Sequence, residues 1–480
     1  MTQPLLPKIF KDRLTTTDEL GHRVRVIPAK VQGRFQKAKD KIHFLLVGFF
    51  LALPWLTVHG APALQLNVPQ RRFFLLGHLF LPQDVPGLFF VVGSFALALV
   101  FVSAIWGRVW CGWACPQTVF IEGFFRRVER WVEGNHLQQR ELDKQPWGAK
   151  KISLKSLKWA LFILGSAAIT HSFLALFMGG ENVARMIIRP PSENPGSFAV
   201  VAVSTLIVLL DFGWFREQFC LIACPYGRFQ SVMMDEQSVT IAYDSKRGEP
   251  RKILKPEAGA VQAATGDCIN CVKCVRVCPT GIDIRNGFQM ECIACTACID
   301  VCDEVMEKIG KPKGLIRYAS DAELRGEKQK FFRPRVVVYG ALLILMFTGL
   351  GFRLASQQIF QTEILRAIDT PYQVVVNPDG RRMVINHFKV NWSNVSAYDA
   401  SVEIVLPKRL QGDGFELIQA QKVFKVLSGQ GERNQFFLKF PVEFLQSHSA
   451  KVQLEDRWQT NEGEHANKAE VTVVGPDQHI

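Results

Sequence analysis

The chain has no isolated cysteine, and it has no cysteine at all after residue 302. Disulfide-rich frameworks belong to small secreted scaffolds, and a chain of 480 residues with grouped thiols is not of that kind. Thiols grouped at ligand spacing indicate metal binding in a reducing compartment. The twelve cysteines stand at positions 111, 115, 220, 224, 268, 271, 274, 278, 292, 295, 298 and 302.

Two further features are missing from the sequence. No glycine-rich nucleotide-binding loop lies near the cysteines, so neither a bound flavin nor bound NAD is indicated. We expect no secretory signal, because the long basic and polar segment 1–41 precedes the first apolar run. These absences point away from a secreted scaffold and from a nucleotide cofactor.

Apolar residues are abundant. Hydrophobic residues make up 48% of the chain, and phenylalanine alone occurs 36 times, whereas 21% of the residues are charged. This composition favours a membrane protein with large water-exposed parts. The formal net charge of +13 would suggest nucleic acid in a cytosolic protein, but Lys and Arg gather beside the apolar runs, as the positive-inside rule predicts. We therefore expect a lipid bilayer, and no nucleic acid, as a partner.

Five apolar runs are near the length that a helix needs to cross the hydrocarbon core. Buried helices of a soluble protein are the alternative, but runs of this length with almost no internal charge favour membrane spans. The first run is short and contains Pro54. The five runs are about Ile42–Val58, Gly87–Trp106, Trp159–Met178, Phe198–Trp214 and Val336–Phe352.

The basic residues alternate between the connections. Segments 1–41 and 107–158 hold ten Lys and Arg each, whereas the connections 59–86 and 179–197 hold two each. The positive-inside rule then places the N-terminus, 107–158 and 215–335 in the cytoplasm. With five crossings, everything after about residue 353 lies on the outer side.

Eight of the cysteines form a ferredoxin-like array of two runs, each with the spacing Cys-x2-Cys-x2-Cys-x3-Cys. The first three cysteines of such a run wrap around one [4Fe–4S] cluster, and the fourth serves the other cluster. Zinc is the alternative, but two interleaved four-cysteine runs fit zinc poorly. The spacing assigns one cluster to Cys268, Cys271, Cys274 and Cys302, and the second to Cys292, Cys295, Cys298 and Cys278.

The other four cysteines belong to a motif, aromatic-Cys-x-x-Ala-Cys-Pro, that follows the second and the fourth apolar run. Cysteines four apart fall on one helical face, and the proline ends or bends the helix. Two helix pairs of the same direction form a parallel repeat, and such repeats commonly meet around a shared site. Thiolates select Cu(I), zinc or iron–sulfur, or form a dithiol pair that exchanges electrons with copper. The candidate catalytic and metal-binding residues are Cys111, Cys115, Cys220 and Cys224, with four buried structural cysteines as the alternative.

The tail after the last apolar run has the pattern of a β domain. Val374-Val-Val376 resembles a strand that enters a turn at Asn377-Pro-Asp-Gly380, and polar turns separate further short strands at 384–386, 402–405, 436–440 and 471–474. This pattern predicts an antiparallel β-sandwich. The tail contains no cysteine, so the sandwich lacks the disulfide of antibody domains.

Several blocks give the chain a resemblance to a known family. They are Pro54-Trp-Leu, Arg71-Arg-Phe, the block from Trp110 to Val119 and the block Cys224-Pro-Tyr-Gly-Arg-Phe-Gln, followed by the double ferredoxin run, a last span and the β tail. In this order they resemble the CcoG/FixG (RdxA) family of cytochrome c oxidase accessory proteins. The likeness covers nearly the whole chain. It implies a membrane polyferredoxin that helps to assemble cbb-type cytochrome oxidase, reduction of Cu(II) to Cu(I) for the oxidase copper centre, and an immunoglobulin-like outer domain.

Patterns and resemblance together predict a helical membrane bundle of five spans with a ferredoxin-like insert and a C-terminal antiparallel, Ig-like β-sandwich. The protein is expected in the bacterial inner membrane, with a cytoplasmic N-terminus and a periplasmic C-terminus. The expected domains are a basic N-terminus (1–41), a four-span membrane domain (42–235), a cytoplasmic two-cluster ferredoxin-like domain (236–332), a fifth transmembrane helix (333–353) and a periplasmic sandwich (354–480).

Two functions are compatible with these features. In the first, the protein is a cupric reductase and assembly factor that takes electrons from a cytoplasmic donor. Its expected cofactors are two [4Fe–4S] clusters, with copper as a further candidate. Its expected partners are copper chaperones or a copper transporter and assembly factors of the cbb-type oxidase. In the second, a membrane subunit links a cytoplasmic donor or quinone to a periplasmic reductase without copper chemistry. A third reading, with the tail as a scaffold, conflicts with the placement of all twelve cysteines in ligand groups.

Overall fold

The structure is a computed structural model, and it divides the chain into two compact units. One unit comprises Met1–Leu53, Phe89–Ala175 and Gly180–Leu350, and the other comprises Pro54–Leu88, Leu176–Gly179 and Gly351–Ile480. The described residues are 16, 24–58, 61–68, 72–75, 78–80, 85–252, 266–356, 360–368, 370–394, 398–427, 429–445, 447–460 and 463–476.

The helices differ widely in length, since spans and short connecting turns alternate. In chain order they are α1 Arg34–Ala52, α2 Val85–Trp106, α3 Val109–Trp113, α4 Pro116–Phe120, α5 Arg126–Val132, α6 His136–Lys144, α7 Ala149–Met178, α8 Gly180–Ile188, α9 Pro195–Leu210, α10 Pro225–Met233, α11 Ser245–Gly248, α12 Lys273–Arg276, α13 Ala297–Lys308, α14 Asp321–Arg325, α15 Pro334–Ala355 and α16 Lys408–Gly412. Turns of π-helix occupy Ile121–Phe125, Asp211–Phe215 and Phe219–Ala223.

The strands are concentrated at the C-terminal end. In chain order they are β1 Thr57–Val58, β2 Ala61–Pro62, β3 Leu64–Asn67, β4 Arg72–Leu75, β5 His78–Phe80, β6 Thr240–Tyr243, β7 Ile316–Ala319, β8 Phe360–Arg366, β9 Gln373–Val376, β10 Arg382–Asn394, β11 Ala400–Val405, β12 Glu416–Gln419, β13 Phe424–Val426, β14 Gly431–Pro441, β15 Ser449–Thr460 and β16 Gly463–Val474. All pairings are antiparallel.

Four described helices are long and apolar enough to cross a membrane. The protein itself buries 6–17% of the apolar window in three of them and 39% in Ala149–Met178, which leaves most of each helix open to lipid. They confirm four of the five predicted runs. The four segments are Gly87–Trp106, Ala149–Met178, Pro195–Phe215 and Pro334–Ala355.

The first predicted run, Ile42–Val58, is not among these four. Helix α1 ends at Ala52, and the next residues form a 3-10 turn that contains Pro54, which has no N–H to continue the helix. From Ile42 the helix extends for only eleven residues, about 16 Å, whereas the hydrocarbon core is about 30 Å thick. The bundle of five spans, and the outer position of the tail that depends on it, stay predictions.

The segment that carries the cysteine array closes on itself. Strand β6 before the array pairs with β7 after it, so both ends of the segment meet in one small sheet. Helices α12 and α13 each follow the start of one cysteine run. Buried apolar side chains between the sheet and α13, among them Ile241, Ile299 and Met306, form the core of this segment. The core holds the two cysteine loops in fixed positions.

The C-terminal tail forms two antiparallel sheets. One has the strand order β12-β14-β10-β8, with β9 also paired to β10, and the other has the order β13-β11-β15-β16. Alternate residues of the long strands are buried, as expected for strands with one face on a core. Buried side chains of both sheets belong to one hydrophobic cluster. The predicted antiparallel sheets are confirmed, and the immunoglobulin-like topology stays a prediction.

One buried carboxyl group lies in this core. Asp456 on β15 is fully buried and accepts hydrogen bonds from Trp392 Nε1 at 3.1 Å and from the hydroxyl of Thr362. Burial raises the pKa of Asp456, although both hydrogen bonds act in the opposite direction. The group therefore costs stability when it is ionised, and it satisfies two donors that have no access to water.

This arrangement predicts opposite results for two substitutions of one residue. Asp456→Asn keeps an acceptor for Trp392 and removes the charge, so we expect a higher free energy of unfolding than the wild type at pH 7. In the wild type, the pKa of Asp456 is higher in the folded state than the unfolded value of about 3.9. Its free energy of unfolding therefore falls as the pH rises from the unfolded pKa through the folded pKa, where the carboxyl group ionises. The advantage of Asp456→Asn should vanish near pH 4.

The control is Asp456→Ala, which leaves both donors unpaired and should cost about 1–3 kcal/mol at either pH. The measurement is protease resistance of the C-terminal sandwich in the full chain across a urea series at pH 7 and about pH 4. An Asp456→Asn protein that is less stable than the wild type at pH 7 contradicts the interpretation.

Candidate metal centres

The first cysteine run lines a small cavity in the array segment. The cavity walls carry four thiols and several apolar side chains, including Val305 and Met306 of α13. Three of the thiols come from the loop before and within α12, and the fourth comes from α13. The four cysteines at this cavity are Cys268, Cys271, Cys274 and Cys302.

A second cavity lies at the other run. Its apolar walls include Ile241 on β6 and Ile282, and Cys274 contributes to it as well as to the first cavity. The remaining cysteines at this cavity are Cys278, Cys292, Cys295 and Cys298. The fourth cysteine of each run thus lies at the cavity of the other run. Which thiol binds which cluster stays a prediction.

The backbone of both loops is strained at equivalent positions. Asn270 and Val272 in the first loop, and Ala294 and Thr296 in the second, have φ values between 53° and 66°. This left-handed conformation costs roughly 1–2 kcal/mol for residues other than glycine, and it is especially unusual for a β-branched valine. Strain of this kind persists only where other interactions compensate for it. Ligation of a cluster by each loop is such an interaction, so the loops fit a [4Fe–4S] group.

Burial makes four of the array thiols poor acids. It raises the pKa of Cys274, Cys292 and Cys302 to about 12 and that of Cys295 to about 11. Without a cation these groups are protonated at neutral pH, whereas iron binds thiolates. A bound metal would replace the protons on these cysteines, and its charge would stabilise the buried sulfur atoms.

The four cysteines of the repeated motif lie close to one another. Cys115 and Cys224 act on Cys111 electrostatically, and Cys111 and Cys115 act on Cys220. All four are half-buried. Burial, and secondarily the neighbouring Cys115, raises the pKa of Cys111 to about 12, and burial also raises that of Cys220. The thiols of both motif copies are thus neighbours, and their convergence on one shared site stays a prediction.

The expectation that each pair lies on one helical face is wrong. Cys111 lies in α3, but Cys115 precedes α4 in an extended conformation with ψ of 127°. Cys220 lies in a π-helical turn, and Cys224 precedes α10 with ψ of 112°. The cause is the following proline, which disfavours helical geometry in the residue before it and opens the next helix instead.

Within the described part of the chain, no three His, Cys, Asp or Glu side chains are grouped closely enough to hold a single metal ion. This applies to the four motif thiols and to the two cysteine loops alike. The motif thiols are therefore neighbours without forming a compact single-ion site in this structure.

The motif thiols and the second cysteine loop are in contact through Gly112. A Cβ atom on this glycine would lie 2.4 Å from the carbonyl oxygen of Ala294 and 2.6 Å from that of Ile293, so only glycine allows this approach. Cys111 also packs against the small hydrophobic cluster that contains Ile293 and Cys295. The two thiol groups are thus adjacent parts of one unit.

Arg108 binds the segment of the second cysteine loop, and Gln230, the last residue of the block that begins at Cys224, binds the segment around Cys111. The guanidinium of Arg108 donates to the carbonyls of Met290 and Gly227, and more weakly, at 3.5 Å, to that of Cys292. Gln230 is fully buried, donates to the carbonyl of Gly107 at 2.7 Å and accepts from Cys111 Sγ at 3.5 Å. In the sequence, the only feature that points to a role for Arg108 is its position close to the cysteine motif.

The N-terminal segment contributes a third polar contact. Asp300 of α13 accepts from the backbone N–H groups of Phe35 at 3.2 Å and Gln36 at 2.7 Å, and so it caps α1. The side chain of Gln36 donates to the carbonyl of Cys295 at 3.0 Å, and Lys39 does so at 3.4 Å. The start of α1 is thereby fixed beside the second cysteine loop.

Comparison with known proteins agrees with this chemistry. Residues 215–321 match a family described as a 4Fe-4S dicluster domain, and residues 88–136 match a family described as a 4Fe-4S binding domain. Together with the four apolar helices, these matches define a membrane-type iron–sulfur electron-transfer protein.

Three relatives of known sequence narrow this class. The chain is 37% identical to protein RdxB of Cereibacter sphaeroides, over 71% of this chain and 72% of that protein. It is 34% identical to protein RdxA of the same organism, over 78% and 81%. It is 31% identical to the nitrogen fixation protein FixG of Rhizobium meliloti, over 80% and 79%. The chain belongs to the CcoG/FixG (RdxA) family.

The crossed positions of the fourth cysteines predict a specific pattern of cluster loss. Cys302→Ser should remove about half of the iron, because one of two clusters loses a ligand. The double variant Cys268→Ser, Cys302→Ser should lose no more than that, whereas Cys298→Ser, Cys302→Ser should lose nearly all. Iron analysis and anaerobic EPR of the purified full chain measure this. The reverse pattern of the two double variants would assign each run to a single cluster.

Proposed function

We propose that this protein is a cupric reductase that supplies Cu(I) during assembly of a cbb-type cytochrome oxidase. When bound, the two iron–sulfur clusters store and pass on single electrons. Each Cu(II) ion accepts one electron and becomes Cu(I). The electron source is a cytoplasmic donor, and the copper is exchanged with copper chaperones or a transporter and with oxidase assembly factors.

The contact at Gly112 carries this proposal. Cys111 and Cys115 flank the region that touches the backbone of Ile293 and Ala294, so the motif thiols adjoin the second cysteine loop. Thiolates are soft ligands, and they bind Cu(I) in preference to hard cations such as Mg²⁺ or Ca²⁺. A substrate held by these thiols is therefore close to the redox-active loop, and no rearrangement of the chain is needed between them.

The residues around the thiols support binding of a cation. Burial keeps Cys111 and Cys220 protonated at neutral pH in the absence of metal, so copper binding displaces protons from them. Gln230 accepts a hydrogen bond from Cys111, and this contact orients the thiol. The chain thus supplies orientation and a neighbourhood of low polarity, and the thiols supply the ligand atoms.

The decisive test is anaerobic EPR of the detergent-purified full chain, reduced, freed of excess reductant and mixed with two equivalents of Cu(II), one for each reduced cluster. We expect the reduced-cluster signal to disappear and no Cu(II) signal to replace it. The variant Cys111→Ser, Cys115→Ser should keep its clusters and leave Cu(II) unreduced. Clusters that stay reduced beside a persistent Cu(II) signal in the wild type contradict the proposal.

A second substitution tests the contact itself. Gly112→Ala forces the chain apart at the second loop, because its Cβ cannot lie 2.4 Å from a backbone oxygen. We expect Cu(II) reduction to become several-fold slower at unchanged iron content, measured by stopped-flow loss of the reduced-cluster signal. Gly148→Ala is the matched control, since no atom lies within 4 Å of its added Cβ. Equal rates of Cu(II) reduction in Gly112→Ala and Gly148→Ala would show that this contact is not part of the electron route.

A second candidate function is an electron-transfer subunit that links a cytoplasmic donor or quinone to a periplasmic reductase without copper chemistry. One observation favours it, since the match to a 4Fe-4S binding domain includes Cys111 and Cys115. In this case the motif thiols hold iron and sulfide instead of copper. The variant Cys111→Ser, Cys115→Ser should then contain less iron than the wild type, whereas the copper proposal expects equal iron.

A further inference from the structure

A polar cavity of about 200 Å³ lies apart from the cysteines, between α5, α6 and the segment that precedes α1. Arg216, the residue directly after the span Pro195–Phe215, contributes to its wall. Two tryptophans close to it in sequence, Trp131 and Trp147, are largely exposed. Tryptophan is enriched where helices meet the membrane surface, so the cavity lies near the level of the lipid headgroups.

The wall of the cavity is rich in cations. It contains Lys30, Arg126, Arg130 and Arg216, whereas its one carboxylate is Glu129. Two of the cations are already neutralised. Arg216 forms a bidentate pair with Glu129 at 2.6 and 3.0 Å, and Arg126 is paired with Glu122 and Glu217.

The other two cations, Lys30 and Arg130, form no ion pair with a carboxylate within the ranges that the structure describes. Lys30 is exposed, whereas Arg130 is half-buried. A positive charge that is withdrawn from water without a partner is costly, and an anionic ligand removes this cost. The cavity therefore favours an anion over a neutral molecule or a cation.

Two buried polar atoms also lack a partner. Among the described residues, nothing bonds to Arg126 Nε, a donor, or to Gln139 Oε1, an acceptor, although both residues are in the cavity wall and nine-tenths or more buried. The other atoms of these side chains are occupied, since Gln139 Nε2 donates to the carbonyl of Gly134 at 2.9 Å. A buried polar group without a hydrogen bond usually marks a missing partner.

The N-terminus of α6 faces the same space. Asn135 and His136, which begin this helix of nine residues, belong to the wall. The side chain of Asn135 already accepts from two N–H groups of the first turn, so this terminus contributes its partial positive charge and not these two donors. The ligand must therefore combine negative oxygen atoms, for the cations and Arg126 Nε, with a hydroxyl group that can donate to Gln139.

We propose that this cavity binds a phosphate group that carries a hydroxyl, either inorganic phosphate or the glycerophosphate headgroup of an anionic phospholipid. Arg130 and Lys30 bind the phosphate oxygens, and Gln139 accepts from the hydroxyl. The site is independent of the copper proposal, because none of its residues is a cysteine or contacts one of the cysteine loops through the bonds described above. When the ligand is the lipid headgroup, the site anchors the α5–α6 region at the membrane surface.

The test is titration calorimetry of the full chain, purified in a non-phosphate detergent, with three probes. They are dihexanoyl-phosphatidylglycerol, inorganic phosphate and dihexanoyl-phosphatidylcholine, which has no headgroup hydroxyl and no net charge. We expect the first to bind at one site and the last to bind at least about tenfold more weakly, which corresponds to about 1.4 kcal/mol. Binding of phosphate alone assigns the site to soluble phosphate, and binding of the anionic lipid assigns it to the headgroup.

Arg130→Gln should weaken binding of the first two probes about tenfold or more, and Lys30→Gln provides an independent second variant. Arg140→Gln is the matched control, because Arg140 is on the exposed side of α6 and outside the cavity wall. Cluster absorbance in each variant checks that the protein is folded. The proposal is overturned if no probe binds the wild type, or if both Arg130→Gln and Lys30→Gln bind as the wild type does.

Discussion

Desolvation of the cysteine sulfur atoms is the constraint on which the rest of this structure depends. Burial raises the pKa of Cys274, Cys292, Cys295 and Cys302 to about 11 or 12, and four residues of the cysteine loops are held in a conformation that favours glycine. Neither feature is stable by itself. A metal cluster offsets both, since it supplies the charge that thiolates need and fixes the loop backbone. The small core under the loops serves mainly to keep this geometry in place.

The same constraint explains how the two thiol groups meet. Polar backbone groups of the second cysteine loop must be satisfied in an apolar neighbourhood. The side chain of Arg108 donates hydrogen bonds to two carbonyls of this segment, and the side chains of Gln36 and Lys39 donate to the carbonyl of Cys295. Gly112 packs directly against the backbone of the loop because it has no side chain. The loop is thus satisfied by residues of distant segments, and these same residues bring the repeated cysteine motif against it.

How far the sequence predicts the molecule depends on how local each signal is. The four spans, the tail strands and the cysteine array follow from run length, alternation and spacing, which are properties of short segments. The first run is apolar as well, but Pro54 and the strand β1 follow its helix, and its role as a fifth span stays a prediction. The common helical face of Cys111 and Cys115 failed because proline acts on the residue before it.

The contacts made by Arg108 and Gln230 could not have been predicted from the sequence. Their partners are more than a hundred residues away, for example 182 residues between Arg108 and Met290. An arginine next to a span is a common feature, and spacing gives no indication of which carbonyl it binds. Such contacts appear only when the whole unit is folded, although they decide which parts of the site touch.

The cap that Asp300 provides for α1 has a consequence for the order of events during synthesis. Asp300 is 265 residues further along the chain than the N–H group of Phe35 that it binds. The ribosome has therefore made three of the four spans before the first helix can reach its final anchor. Until then the start of α1 has no side-chain cap, since Gly33 provides none. The start of α1 can therefore dock only after the segment with the second cysteine loop has been synthesised.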